Sequence, residues 1–307
     1  MVTPCRNEEE NVRNCYEKLK EIFINRLPKY DFEHIFCDNC SDDETLKILR
    51  EIAKKDMRVK IIANARNFGA FNSMFNGVLA ASGDAVIPFL PADLQDPPEI
   101  IPEFVKHWEQ GYEVVYGVRS NREESSIMQA VRRFYYRLVN RFANINIPLN
   151  VGEFTLIDKK VHEALKQYED YFPYLRGMIA NCGFRSTLVP YTWKSRQRGV
   201  SKVNLYGLVD AGLNGLISFT NVPMRLCMFV GFFIAAAAIA YAVIAFVATL
   251  FWFQGIAPPG MPTLIVALFF FSGLNLFFLG LLGEYISAIH FQVRKRPLVV
   301  ERERINF

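Results

Sequence analysis

Ala85-Val86-Ile87-Pro88-Phe89-Leu90-Pro91-Ala92-Asp93-Leu94-Gln95-Asp96-Pro97-Pro98-Glu99 is the stretch that decides the fold. Ala85–Leu90 is a continuous apolar run, as in a strand buried on both faces. It passes directly into an acidic loop, after which Pro98 can open a helix carrying Ile101, Phe104, Val105 and Trp108. Glu113–Val118 then reads as a further strand. Upstream the same alternation holds. Asn7 is placed to cap a helix whose face is Val12, Tyr16, Leu19 and Phe23, stopping before Pro28. His34–Cys37 is a short strand, and Ser41 with Glu44 has capping-box spacing ahead of Leu46, Leu49 and Ile52. Val59–Ala63 is the next strand, followed by a helical face of Phe71, Met74, Phe75 and Val78. Strands alternating with helices predict an α/β unit with a mostly parallel sheet and helices on both faces.

Ligands of such sheets bind beyond the carboxyl ends of the strands. Three edges therefore matter: Asp38, Arg66-Asn67-Phe68-Gly69, and the loop from Ala92 to Glu99. Two carboxylates and an amide at a strand end can hold a divalent cation through oxygen, and that cation could neutralise a departing diphosphate. Asp93, Asp96 and Glu99 could equally cap the following helix. There is no G-x-G-x-x-G or G-K-[ST] loop, which argues against dinucleotide or P-loop chemistry.

The 307 residues allow about two domains. At 51% hydrophobic with 27 phenylalanines, the chain is too apolar for disorder and invites lipid contact. The net charge of +4 gives no argument for nucleic acid, and six scattered cysteines do not make a disulfide scaffold. Cys37-x-x-Cys40 crosses a strand end without a second pair, so redox or zinc chemistry is not favoured there. His107 and His162 read as surface residues of helices.

The apolar residues concentrate at the carboxyl-terminal end. Leu226–Phe253 carries no charge, and Thr263–Ile289 carries only Glu284. Each is long enough to span a bilayer, with QGIAPPGMP (254–262) as the turn between them. Arg225 precedes the first span, while Arg294, Lys295, Arg296, Arg302 and Arg304 follow the second. The positive-inside rule then places both flanks and the amino-terminal region in the cytoplasm. Between these parts, residues 123–143 pair an apolar face (Ile127, Val131, Phe134, Tyr135, Leu138, Phe142) with Arg133, Arg137 and Arg141. That is the pattern of an interfacial helix or of a helix packed on the sheet with a solvated edge. Leu205–Phe219 could also lie along the membrane. The resulting division is 1–122, 123–222, 223–290 and a basic tail at 291–307.

Asp93-Leu94-Gln95-Asp96-Pro97-Pro98-Glu99, preceded by Pro4-Cys5-Arg6-Asn7-Glu8 and followed by Tyr116-Gly117-Val118-Arg119, resembles the family 2 glycosyltransferases. More narrowly it is similar to polyprenyl-phosphate glycosyltransferases, the dolichol-phosphate mannose synthases and bactoprenol glucosyltransferases. Val151-Gly152-Glu153-Phe154, Leu175-Arg176-Gly177, Ser201-Lys202 and the paired spans continue the likeness in order. The resemblance implies a Rossmann-like GT-A fold and a membrane-bound inverting enzyme. One sugar would move from a nucleotide sugar, UDP-glucose first, to undecaprenyl or polyprenyl phosphate at the cytoplasmic face of a bacterial membrane. It implies that Pro4, Glu8 and Asp38 line the nucleobase and ribose, with Arg66 on the donor side. Asp93 and Gln95 would hold Mg²⁺ or Mn²⁺. Arg119 with Arg132 or Arg133 would take the lipid phosphate, while Arg198, Ser201 and Lys202 would close over the donor. Glu153 stands where the family more often has an aspartate discussed as a base.

Two motifs depart from the family pattern. Its Asp-x-Asp reads Pro91-Ala92-Asp93 here, so Asp93, Gln95 and the donor's phosphates would have to share the metal. Its Asp-Asp-Gly-Ser reads Asp38-Asn39-Cys40-Ser41. The alternatives are a degenerate nucleotide-sugar-binding subunit and a processive polysaccharide synthase, although the latter's Gln-x-x-Arg-Trp is absent. A homo-oligomer is left open.

Overall fold

The computed structural model describes residues 1–121, 151–170, 173–193, 229–234, 237, 240, 261–294 and 296–307. Two units divide the chain, Met1–Ala211 with Lys295–Phe307, and Gly212–Arg294.

The first unit begins with β1 (Val2–Cys5), α1 (Val12–Arg26), β2 (His34–Asp38), α2 (Thr45–Lys55), β3 (Val59–Asn64) and α3 (Ala70–Ala80). β1, β2 and β3 pair in parallel. Inward-facing residues alternate along β2. Phe36 packs in a cluster with Leu46, Leu49 and Ile52 of α2, whereas Ile35 and Cys37 approach α3 at Gly77. Helices thus cover both faces, as the alternation predicts.

The next strand is shorter than its apolar run. β4 is only Ala85–Val86. Beyond it the chain still lies along β1, with Val2 N–H bonded to the Ile87 carbonyl at 3.0 Å and Leu90 N–H to the Val2 carbonyl at 2.9 Å. Pro88 has no N–H to give, so the segment is buried beside β1 without a regular ladder. A 3₁₀ turn (Pro98–Ile100) leads into α4 (Ile101–Glu109), followed by β5 (Val114–Asn121), β6 (Val151–Asp158), α5 (Lys159–Leu165), α6 (Leu175–Asn181) and β7 (Ser186–Thr192). These strands form a second ladder in the order β4-β6-β5-β7. β6 is antiparallel to both β4 and β5, while β7 is parallel to β5. The sheet is therefore mixed. Phe104 of α4 packs on Phe154 at 5.1 Å between centroids, in a cluster with Leu19, Ile22, Phe23 and Val189.

Three local expectations change. Asn7 does not cap α1; it adopts φ 55 and Asn11 takes the cap position. The capping box is not formed, because Ser41 turns to Asp38 and α2 starts after Glu44. His162 is not a surface residue: it is 1% exposed and its Nε2 lies 2.6 Å from the Val78 carbonyl.

His162 and His34 together predict an acid-sensitive fold. His34 is fully buried, with Nε2 2.8 Å from Thr3 Oγ1 and its ring on Phe36. Burial holds its pKa well below the ordinary 6.5. Burial likewise lowers His162 and outweighs its bond to Val78. Both rings are thus harder to protonate in the fold than in the unfolded chain, which takes up protons below pH 6.5. Stability is thus complete above that value and falls as the pH drops below it, by up to about 1.4 kcal/mol per pH unit for each ring. Urea midpoints at pH 7.5, 6.5 and 5.5 measure this, with the slope reduced in His34→Gln. A flat profile in the wild type rules it out.

The carboxyl-terminal residues rejoin this unit. β8 (Glu301–Ile305) runs antiparallel to β3 and completes the order β1-β2-β3-β8. In the second unit α7 (Met261–Val293) contains the expected second span. Phe270–Val293 is long and apolar enough to cross a membrane, about 36 Å at 1.5 Å per residue. It exposes Leu276, Phe277, Leu279 and Ile286. Most of the first span, and the stretches 123–143 and 205–219, lie outside the described residues.

Candidate active site

The carboxyl ends of β1 and β2 are stitched together by polar bonds. Asp38 is fully buried and accepts from Ser41 Oγ at 2.5 Å and Ser41 N–H at 3.3 Å. Ser41 Oγ in turn accepts from Asn7 N–H at 3.0 Å, and Asn7 Oδ1 accepts from Asp42 N–H at 2.9 Å. The left-handed conformations of Asn7 (φ 55) and Cys40 (φ 60) turn the two loops toward each other. Burial pushes the Asp38 carboxyl above its ordinary value, opposed by the Ser41 bonds and by the charge of Arg302. An amide chain extends this edge to β3: Asn39 Nδ2 donates to Asn67 Oδ1 at 2.7 Å, and Asn64 Nδ2 donates to Asn39 Oδ1 at 3.1 Å. Arg66 is exposed, its guanidinium 3.9 Å from the Phe68 ring centroid.

Two thiols, Cys5 and Cys15, are buried here. Burial raises the Cys5 pKa, and Asp38 and Glu8 raise it further. Cys15 is pushed to about 12 by burial, eased by Thr3 and raised again by Asp93 and Glu8. Cys5 pairs with Asp38 across β1 and β2 and packs in one cluster with Ala92, so Glu8, Asp38 and Asp93 follow segments that meet at one end of the sheet. Pro4 belongs to β1 beside them, paired with Cys37.

The acidic loop has two halves with different tasks. Asp93 is half-buried, and its Oδ1 accepts from Gln95 N–H at 3.3 Å around a left-handed Leu94. Asp96 is 1% exposed and accepts from Arg119 Nε at 3.2 Å, from an Arg119 terminal nitrogen at 3.0 Å and from Tyr191 Oη at 2.5 Å. Neither the 3₁₀ turn nor α4 has a side-chain cap, so the capping alternative for this loop is not realised. Arg119 stacks near Trp193, 5.6 Å from the ring centroid. An acceptor phosphate at Arg119 would therefore have to share the guanidinium with Asp96.

Glu153 sits where β6 bulges. Tyr116 pairs with Thr155 and Val118 with Val151, leaving residues 152–154 opposite Gly117 alone. A Cβ on Gly117 would come within 2.6 Å of the Phe154 carbonyl, so only glycine allows this close approach. Glu153 Oε1 is 2.8 Å from Arg176 Nε, and Arg176 also bonds the Val151 carbonyl at 3.0 Å.

Among the described residues no group of three or more His, Cys, Asp or Glu side chains is arranged to hold a metal ion. With Asp96 committed to Arg119, Asp93 and the Gln95 amide remain as oxygen donors. That set fits a hard cation whose other ligands come from a diphosphate and water. Arg132, Arg133, Arg198, Ser201 and Lys202 lie outside the described residues. Sequence reasoning missed Tyr191 as a partner of the loop, the Glu153–Arg176 pair, and the place of Arg302. Only the last had a local signal, the alternation of residues 301–305.

Residues 1–166 match the model of glycosyl transferase family 2. The chain belongs to that family. This family 2 glycosyltransferase has the GT-A fold in its first unit, and residues 222–289 match the GtrB C-terminal hairpin. An uncharacterized glycosyltransferase of Synechocystis sp. is 35% identical over 97% of this chain and 92% of its own length. The SfII prophage-derived bactoprenol glucosyl transferase of Shigella flexneri is 33% identical over 97% of this chain and 95% of its own. A solved mannosyltransferase of Pyrobaculum calidifontis, in complex with GDP-Man and Mn²⁺, is 16% identical with a TM-score of 0.48, over 96% of this chain and 85% of that one.

Proposed function

We propose that this family 2 glycosyltransferase moves glucose from UDP-glucose to a polyprenyl phosphate such as undecaprenyl phosphate. The observation that carries the reading is that Asp38 pairs with Cys5 across β2 and β1 while Ala92, next to Asp93, packs in the same cluster as Cys5, three residues before Glu8, in a chain that also carries an apolar helix of spanning length. The likeness to bactoprenol glucosyl transferases over nearly the whole chain supports the acceptor. Asp38, Glu8 and Pro4 line the nucleoside, with Arg66, Arg198, Ser201 and Lys202 on the donor. Asp93 and Gln95 hold Mg²⁺ or Mn²⁺, which when bound supplies positive charge to the leaving diphosphate. Arg119, Arg132 and Arg133 draw in the acceptor phosphate.

The acceptor is a phosphate monoester with a second pKa of about 6, so it is already ionised near neutrality. A strong base is therefore not required, and the ion-paired Glu153 serves to orient the reactants. In-line attack by the phosphate oxygen inverts the anomeric carbon, and most of the acceleration comes from positioning and charge. By the positive-inside rule the catalytic unit and both termini face the cytoplasm of a bacterial membrane.

The test is transfer of radiolabel from a nucleotide-sugar panel into organic-extractable lipid by the purified full chain, with undecaprenyl phosphate and Mg²⁺ or Mn²⁺. EDTA-sensitive label from UDP-glucose is expected. Label from another donor alone would change the sugar. No label from any donor overturns the reading.

A further inference from the structure

β8 carries a bulge, and its extra residue is Arg302. Along β3 and β8 the partners run Ile61 with Ile305, Ile62 with Arg304 and Ala63 with Glu303, but Asn64 then pairs with Glu301. Arg302 is left without an opposite number. A bulge of this kind re-aims the side chain it releases.

The strand around it is pinned on every side. Ala65 N–H donates to the Val300 carbonyl at 2.9 Å, and Asn306 Nδ2 donates to the Ala53 and Val59 carbonyls at 2.9 and 2.8 Å. The neighbouring charges are all engaged. Glu301 accepts from Asn76 at 2.6 Å and from Arg304, and Glu303 pairs with Arg50. Arg302 is exposed and makes no hydrogen bond or ion pair with the described residues. Its charge acts on buried Asp38, two strands away at the carboxyl end of β2. A rigid strand thus holds one uncommitted guanidinium at the edge where the nucleotide is proposed to bind.

We infer that Arg302 is a donor-binding residue, supplied from beyond the apolar helix, that engages the phosphates of the nucleoside diphosphate. This rests on the donor site proposed above. The planar fork of arginine suits phosphate oxygens better than the point charge of lysine. The competing description is a solvated surface cation whose only effect is on Asp38.

The full chain in detergent is titrated with UDP, GDP and uridine by calorimetry, in the presence of Mg²⁺, for wild type, Arg302→Ala and Arg302→Lys. Arg302→Ala is expected to weaken the preferred nucleoside diphosphate about tenfold or more, the size of a lost charge-assisted bond. Arg302→Lys falls between, and uridine binding changes less than twofold. Nucleoside diphosphate binding equal to wild type in Arg302→Ala overturns the inference, as does an equal loss for uridine. Wild type that binds GDP but not UDP corrects the donor proposed above while still testing Arg302. Binding of neither by the wild type overturns both readings. Unchanged unfolding midpoints in the two variants show that the effect is on binding.

Discussion

Asp93→Ala is expected to lower sugar transfer by on the order of 10³-fold, the scale lost when a preorganised charge-stabilising group is removed. Asp93 is half-buried, and Asp96 in the same loop is committed to Arg119, so Asp96 would not take over the place proposed for Asp93 beside the diphosphate. Its Oδ1 accepts from Gln95 N–H at 3.3 Å. Glu153→Gln should retain more activity than Asp93→Ala, because the acceptor phosphate needs little help to ionise. Initial rates of lipid labelling at saturating donor rank the two variants. A more damaging Glu153→Gln would mean that proton removal, not departure of the nucleotide, limits the reaction.

Asp96→Ala, three residues further on, should fail in the opposite way. The carboxylate is 1% exposed and its partner Arg119 only 16% exposed. Removing one member of a buried pair leaves the other charge without compensation, at a cost of about 3–5 kcal/mol. Tyr191 Oη loses its acceptor as well. The urea midpoint of the first unit should fall accordingly. Asp96→Asn, which keeps an acceptor for Tyr191, should lose less. A midpoint unchanged in Asp96→Ala would show that Arg119 and Tyr191 are satisfied without Asp96. With these outcomes the two aspartates would separate reaction from architecture within one short loop.

That division was only partly legible in the sequence. The helical faces of α1, α2 and α3 were readable because their apolar spacing survives into the packing: Leu46, Leu49 and Ile52 do form a buried stripe. The strand at Ala85–Leu90 was readable as buried, but Pro88 interrupts its ladder. Ser41 and Glu44 had the spacing of a cap, yet buried Asp38 competes for the same hydroxyl and wins. The resemblance to family 2 glycosyltransferases, read from the ordered motifs, is borne out by the family match. Tyr191 could not be read, because its bond to Asp96 joins residues 95 positions apart and leaves no periodic trace. β8 escaped notice for a different reason. Its glutamates and arginines look like a solvated tail until pairing with β3 gives each a side.

The edge strand also imposes an order of events during synthesis. Arg50 and Glu303, joined in the folded unit, are 253 positions apart, and the apolar helix is made between them. A ribosome therefore exports the hydrophobic segment before the sheet receives its last strand. Until residues 301–305 have emerged, β3 presents an unpaired edge of the kind that recruits foreign strands. Trimming the gene after residue 211 to make a water-soluble enzyme would make that nascent condition permanent, and a short β8 peptide fused behind the cut would relieve it.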